Sequence, residues 1–140
     1  MSRKSGFTLV ELIVVVLILG ILAAVAVPKI INNSDDAEDS GVAQTLSAVR
    51  DAIELYATQT NAGGYPKGTS AQIHTKLKPF IRGAQFPKAK VGGLNSSDIK
   101  LSATLAVGGT EGWVYDTVTG DFIINSDSYM TDGTTKYSEL

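Results

Sequence analysis

The chain has 140 residues, with 12 Lys and Arg against 14 Asp and Glu, and a net charge of −2 gives no general attraction to nucleic acid or to a membrane surface. The absence of cysteine excludes disulfides, thiolate metal sites and a catalytic thiol. At this length one small domain with an appendage is the expected organisation.

Residues 7–27, FTLVELIVVVLILGILAAVAV, form an apolar run long enough to cross about 30 Å of hydrocarbon as a helix. Only MSRKSG precedes it. Arg3 and Lys4 on that flank predict a cytoplasmic N-terminus and an exported C-terminal part. Three readings of the run compete. A cleaved secretory signal would use Ala24-Val25-Ala26, but the run exceeds the about 7–15 apolar residues usual for such signals and contains Glu11. A plain single-span anchor explains length and orientation. It leaves unexplained an ionisable residue, which at the centre of a membrane helix costs about 2.5–3.5 kcal/mol.

The third reading rests on residue order. A short basic leader, Gly6, Phe7, Thr8-Leu9-Val10 and Glu11 lead into an apolar helix containing Gly20 and followed by Pro28. This stretch closely resembles the N-terminus of type IV prepilins and of the pseudopilins of type II secretion. The resemblance implies that a prepilin peptidase cuts between Gly6 and Phe7 at the cytoplasmic face and methylates the new Phe7 amine. Cleavage would remove residues 1–6 and keep the span, residues 7–28. Glu11 would then be the one carboxylate at the depth of the Phe7 amine, and two charges without water favour each other as partners. The pair forms either within one chain or between neighbours, where it would set the axial register of assembly. Gly20 weakens a helix interior by about 1 kcal/mol relative to alanine, and Pro28 removes a backbone hydrogen bond, so the segment between them is expected to bend. The resemblance implies that such bending lets helices repack from bilayer to filament core; an ordinary tolerated kink is the alternative.

After a polar stretch, Val42, Leu46, Val49, Ile53 and Tyr56 recur at spacings of four and three, the apolar stripe of an amphipathic helix over residues 29–61. Asp35, Asp36, Glu38 and Asp39 read as its solvated face. Asn61-Ala62-Gly63-Gly64 should end it. A continuous helix from Phe7 to about Thr60 would make a rod of roughly 80 Å.

Residues 62–140 should form the globular domain. Ser70 can cap a short helix carrying Ile73 and Leu77, stopped by Pro79. Phe80, Ile81 and Phe86 are core candidates in a loop through Pro87 and Gly92-Gly93. Residues 99–107 alternate apolar and polar and predict the clearest strand. Trp113-Val114-Tyr115 and Phe122 to Ile124 predict two more, joined by a tight turn over residues 117–120, the whole forming an antiparallel meander packed on the helix stripe. The expected class is α+β, a long N-terminal helix packed on a small antiparallel sheet, which the resemblance identifies as the pilin fold. The segments Gly63-Gly64-Tyr65-Pro66 and Gly112-Trp113-Val114-Tyr115-Asp116 also look like those of pseudopilins. No cysteine pair closes the C-terminal region as in major adhesive pilins, and the Asp-Pro-Trp-Gly stretch frequent in the major pseudopilin is absent.

Charges are sorted along the domain. Lys67, Lys76, Lys78, Arg82, Lys88, Lys90 and Lys100 face one acid, Asp98, over residues 67–100, while Glu111, Asp116, Asp121, Asp127, Asp132 and Glu139 follow. These are solvated faces, or opposite patches that meet between copies. The resemblance implies calcium in the C-terminal loop as a candidate cofactor, with Asp127, Ser128, Asp132 and backbone carbonyls as the available ligands, against the alternative of a solvent-exposed acidic loop; no other cofactor or metal is expected. The one histidine, His74, lacks a second ligand nearby, and no G-x-S-x-G elbow or phosphate loop is present, so no catalytic residue is expected. Trp113 reads as a core residue. Asn32-Asn33-Ser34 and Asn95-Ser96-Ser97 match an acceptor pattern for glycosylation that is short enough to occur by chance.

The expected function is therefore structural: a subunit that polymerises into a type II secretion pseudopilus or related filament driving protein export across the outer membrane. Its implied partners are other copies of itself, minor pseudopilins, the prepilin peptidase, an inner-membrane assembly platform and, before assembly, membrane lipid. Its implied location is the bacterial inner membrane with the domain in the periplasm. The alternative is a surface or competence type IV pilin for adhesion or DNA uptake, with residues 67–100 holding DNA phosphates.

Overall fold

The computed structural model describes residues 6–59 and 63–140, without the side chains of residues 28–34. The leader residues Arg3 and Lys4, the Pro28 side chain, the Asn32-Asn33-Ser34 pattern and Asn61-Ala62 therefore lie outside the described residues. Two compact units divide the chain, Met1–Asp35 and Asp36–Leu140. The first contains the beginning of α1 (Leu9–Gln59), the long helix that the apolar run and the stripe after it predict. It starts at Leu9 and not Phe7, because Thr8 serves as its cap.

In the second unit the stripe behaves as its spacing requires. Val42, Leu46, Val49, Ile53 and Tyr56 are all buried and share one core with Ile73, Leu77, Ile99, Trp113, Tyr115, Phe122 and Ile124. At about 25 cal/mol per Å² of apolar surface, this burial is the main favourable term holding the unit together. Phe80, Ile81 and Phe86 pack against the same cluster from its partly exposed rim. Asp39 corrects the reading of the acidic run as a wholly solvated face, since it is 6% exposed. It stands three residues before Val42 and seven before Leu46, which puts it on the core side of the helix.

The short helix α2 (Ser70–Leu77) is capped by Thr69 rather than Ser70. Thr69 and Gln72 form a reciprocal capping box, and Ser70 instead accepts the Ile99 amide, tying α2 to the sheet. A 3-10 turn, Lys78–Phe80, follows through Pro79. The segment expected as a loop through Gly92-Gly93 is a hairpin of β1 (Ala89–Val91) and β2 (Leu94–Ser96). Val91 faces Leu94 across a two-residue connection in which both glycines have positive φ, 53° and 84°. That is the backbone a two-residue hairpin needs to match strand twist.

The predicted strand at residues 99–107 shrinks to β3 (Ile99–Leu101). It is followed by β4 (Trp113–Tyr115) and β5 (Phe122–Ile124) in the order β3-β4-β5. β4 and β5 are antiparallel as expected, but β3 runs parallel to β4, so the meander is not formed at that edge. A parallel neighbour requires the chain to return to its starting end, and residues 102–112 are that return. The turn is held by the Ser102 hydroxyl accepting the Ala106 amide and by Lys100 Nζ donating to the carbonyls of Ala106 and Gly108. The central strand β4 is buried on both faces. Trp113 donates its indole N–H to the Pro87 carbonyl, and its ring lies 5.1 Å from that of Phe122.

Candidate functional site

The head of α1 is built by four residues. Gly6 and Phe7 precede the helix, and Phe7 is 76% exposed. Thr8 Oγ1 accepts the Glu11 amide at 3.2 Å, while Glu11 Oε2 accepts both the Thr8 amide at 2.9 Å and the Thr8 hydroxyl at 2.8 Å. This is a capping box. It satisfies amides that the first helical turn leaves without partners, which matters most where no water can replace them. A carboxylate in the first turn also sits at the positive end of the helix dipole. Sequence reasoning considered only Phe7 as the partner of Glu11 and missed Thr8, although Thr-x-x-Glu before an apolar run is a recognisable helix start. With Gly6 attached, the Phe7 nitrogen is an amide and carries no charge, so the pairing of Phe7 with Glu11 is a matter for the processed chain.

Beyond this head, Leu9–Val27 is long and apolar enough to cross a membrane. Every residue from 6 to 27 is exposed in the single chain. Leu9, Ile13, Leu17 and Leu22 are each more than half exposed, and a run of this size left bare requires lipid or another protein surface. Gly20 adds to this: a side chain placed there would meet no other atom within 4 Å. α1 continues through Gly20 and Pro28 without a break.

In the second unit the charges are partly committed. Lys90 of the basic stretch pairs with Glu38 of α1 at 3.0 Å, within the same chain. Asp132 accepts the amides of Thr134 and Thr135 and the Thr135 hydroxyl, bonds that hold its carboxyl at about 2. Asp127 accepts the Ser138 hydroxyl. Among the described residues no three His, Cys, Asp or Glu side chains gather into a metal-holding group. His74 is half-buried, its Nε2 2.9 Å from the Ser97 carbonyl and its ring stacked 4.1 Å from Phe86. It lines an open cavity of about 140 Å³ with Lys78, Ile81 and Gln85. The site residues singled out from the sequence thus fall into one linear constellation, Gly6, Phe7, Glu11 and Gly20 along the head of α1, and Thr8 joins them.

Residues 1–27 match the family described as the prokaryotic N-terminal methylation motif. The type IV narrow pilus major component PilA5 of Thermus thermophilus is 44% identical over 64 residues, 46% of this chain and 53% of that protein. Type II secretion system core protein G of Aeromonas hydrophila is 39% identical over 59 residues, 42% of this chain and 41% of that protein. The core protein G of Vibrio cholerae is 39% identical over 85 residues, 59% of this chain and 57% of that protein. The chain thus spans about half the length of the curated relatives it matches. No solved structure matches it. The chain carries an N-terminal methylation motif on a bare apolar helix, and over about half of its length it is similar to type II secretion system core protein G and to a type IV pilus major component.

Proposed function

We propose that the chain is a structural subunit which waits in a membrane by its apolar helix and then polymerises with copies of itself into a secretion pseudopilus or a related filament. The observation that carries this is the methylation motif of residues 1–27, whose helical part leaves every residue exposed. In this reading a prepilin peptidase cuts between Gly6 and Phe7 and methylates Phe7. The apolar helices then exchange lipid for one another, with bending near Gly20 and Pro28 allowing the change. Minor pseudopilins and an inner-membrane platform complete the machine, and the domain faces the periplasm. In this reading the subunit is structural and has no catalytic step. A calcium ion on the tail would compete with the bonds Asp132 makes to its own loop.

N-terminal mass analysis of the chain recovered from its native envelope tests the processing step. A mature chain starting at a methylated Phe7 is expected, and a start at Val27 would support ordinary signal cleavage instead. The relative at 44% identity is named as a pilus component, which favours a surface pilin as the second reading. Filaments released by shearing intact cells would select that reading, and filaments retained inside the envelope the first.

A further inference from the structure

Asp39 lies on the core-facing stripe of α1 and is 6% exposed, yet among the described residues no Lys or Arg pairs with it. A buried carboxylate without a cation persists only if hydrogen-bond donors replace water. Both donors come from the far end of the chain. Thr131 gives its amide to Oδ2 at 2.7 Å, and Tyr137 gives its hydroxyl to Oδ1. The segment that carries them is cross-braced within itself, and it meets the rest of the unit through Tyr137 in the core, Met130 and Leu140 against that core, and the Ser138 amide on the Ser126 carbonyl. Tyr129 bridges Lys136, the Met130 amide reaches the Thr135 carbonyl, the Tyr137 amide reaches Ser128, and Asp132 closes the turn between. We infer that Asp39 is a latch, which fastens residues 127–140 to α1 and whose neutralisation frees that tail as a unit while the sheet and the helix stripe stay folded.

The surrounding charges agree with this role. Asp132 of the tail opposes the negative charge of Asp39, and Glu38 on the same helix is occupied by Lys90 of β1. Burial works to raise the Asp39 carboxyl, but the Tyr137 and Thr131 donors outweigh it and hold the group below its ordinary value of 3.8. The folded value is therefore the lower one. The latch is complete above the ordinary value and is lost as pH falls through the native value.

The test is hydrogen exchange, with NMR of the Asp39 carboxyl carbon, on the full chain in detergent micelles. In Asp39→Asn the side chain accepts through one oxygen and turns an amide toward a donor. The amides of residues 127–140 should then lose about tenfold or more in protection at neutral pH, while those of Trp113, Val114 and Ile123 keep theirs. In the unsubstituted chain the same tail amides should loosen in step with the acid titration of Asp39. Tyr137→Phe should move that titration upward, since one lowering donor is gone, and Asp132→Asn should move it downward, since an opposing charge is gone. Tail protection unchanged in Asp39→Asn overturns the latch. So does loosening of the sheet together with the tail in both Asp39→Asn and Tyr137→Phe, because the tail would then have no separate existence.

Discussion

At the scale of single residues, Glu11 is the position where structure and function diverge. In the single chain its carboxylate closes a capping box with Thr8, and one oxygen, Oε2, takes both bonds. A local role would account for its presence, since such a box stabilises a helix start. The proposed assembly role asks for more, a partner in another copy. Glu11→Leu separates the two. It makes the span more apolar, so membrane insertion and cleavage after Gly6 should persist, and the lost cap should fray only the first turn. Filament yield, measured in a strain lacking the unsubstituted chain, should fall to background. Normal polymerisation of the variant would confine Glu11 to capping its own helix.

Among the elements, the β1–β2 hairpin turns on two glycines with unequal demands. Both have positive φ, so alanine is strained at either. A Cβ on Gly92 would also lie 2.5 Å from Ser128 Oγ, whereas one on Gly93 would meet nothing within 4 Å. Gly93→Ala should therefore cost about 1 kcal/mol and Gly92→Ala clearly more, read as a shift in urea midpoint at constant slope. This hairpin was legible in principle, as Gly-Gly between Ala-Lys-Val and Leu-Asn-Ser, but three-residue strands leave too little periodicity to see. The opposite error arose at residues 99–107. Their alternation is real, yet Leu101 is 45% exposed, and a period of two says nothing about whether a partner strand exists beside each residue. The helix stripe was read correctly because its repeat persists over four turns. Asp39 was misread by composition although the same repeat placed it inward. Thr8 was overlooked because the motif around it drew attention to Phe7.

For the whole molecule, the response to pH between about 8 and 5 should trace to His74, the side chain whose ordinary range lies there. Burial chiefly lowers its value, against weaker raising by the Ser97 carbonyl and Asp98. The native state thus favours the neutral ring, and the unfolded chain binds the proton more readily. Stability of the Asp36–Leu140 unit should be full above the ordinary value of 6.5 and decline as pH falls below it, levelling once the native value is passed. Urea midpoints across that range should show this slope, and His74→Gln should flatten it. The division into two units has an optical consequence as well. Trp113 is the one tryptophan of the chain and is fully shielded beside Phe122. Indole emission therefore reports the integrity of Asp36–Leu140 and is blind to whether the apolar helix lies in lipid, in detergent or against another copy. Light scattering paired with that emission would distinguish a filament that falls apart into folded subunits from one whose subunits denature in place.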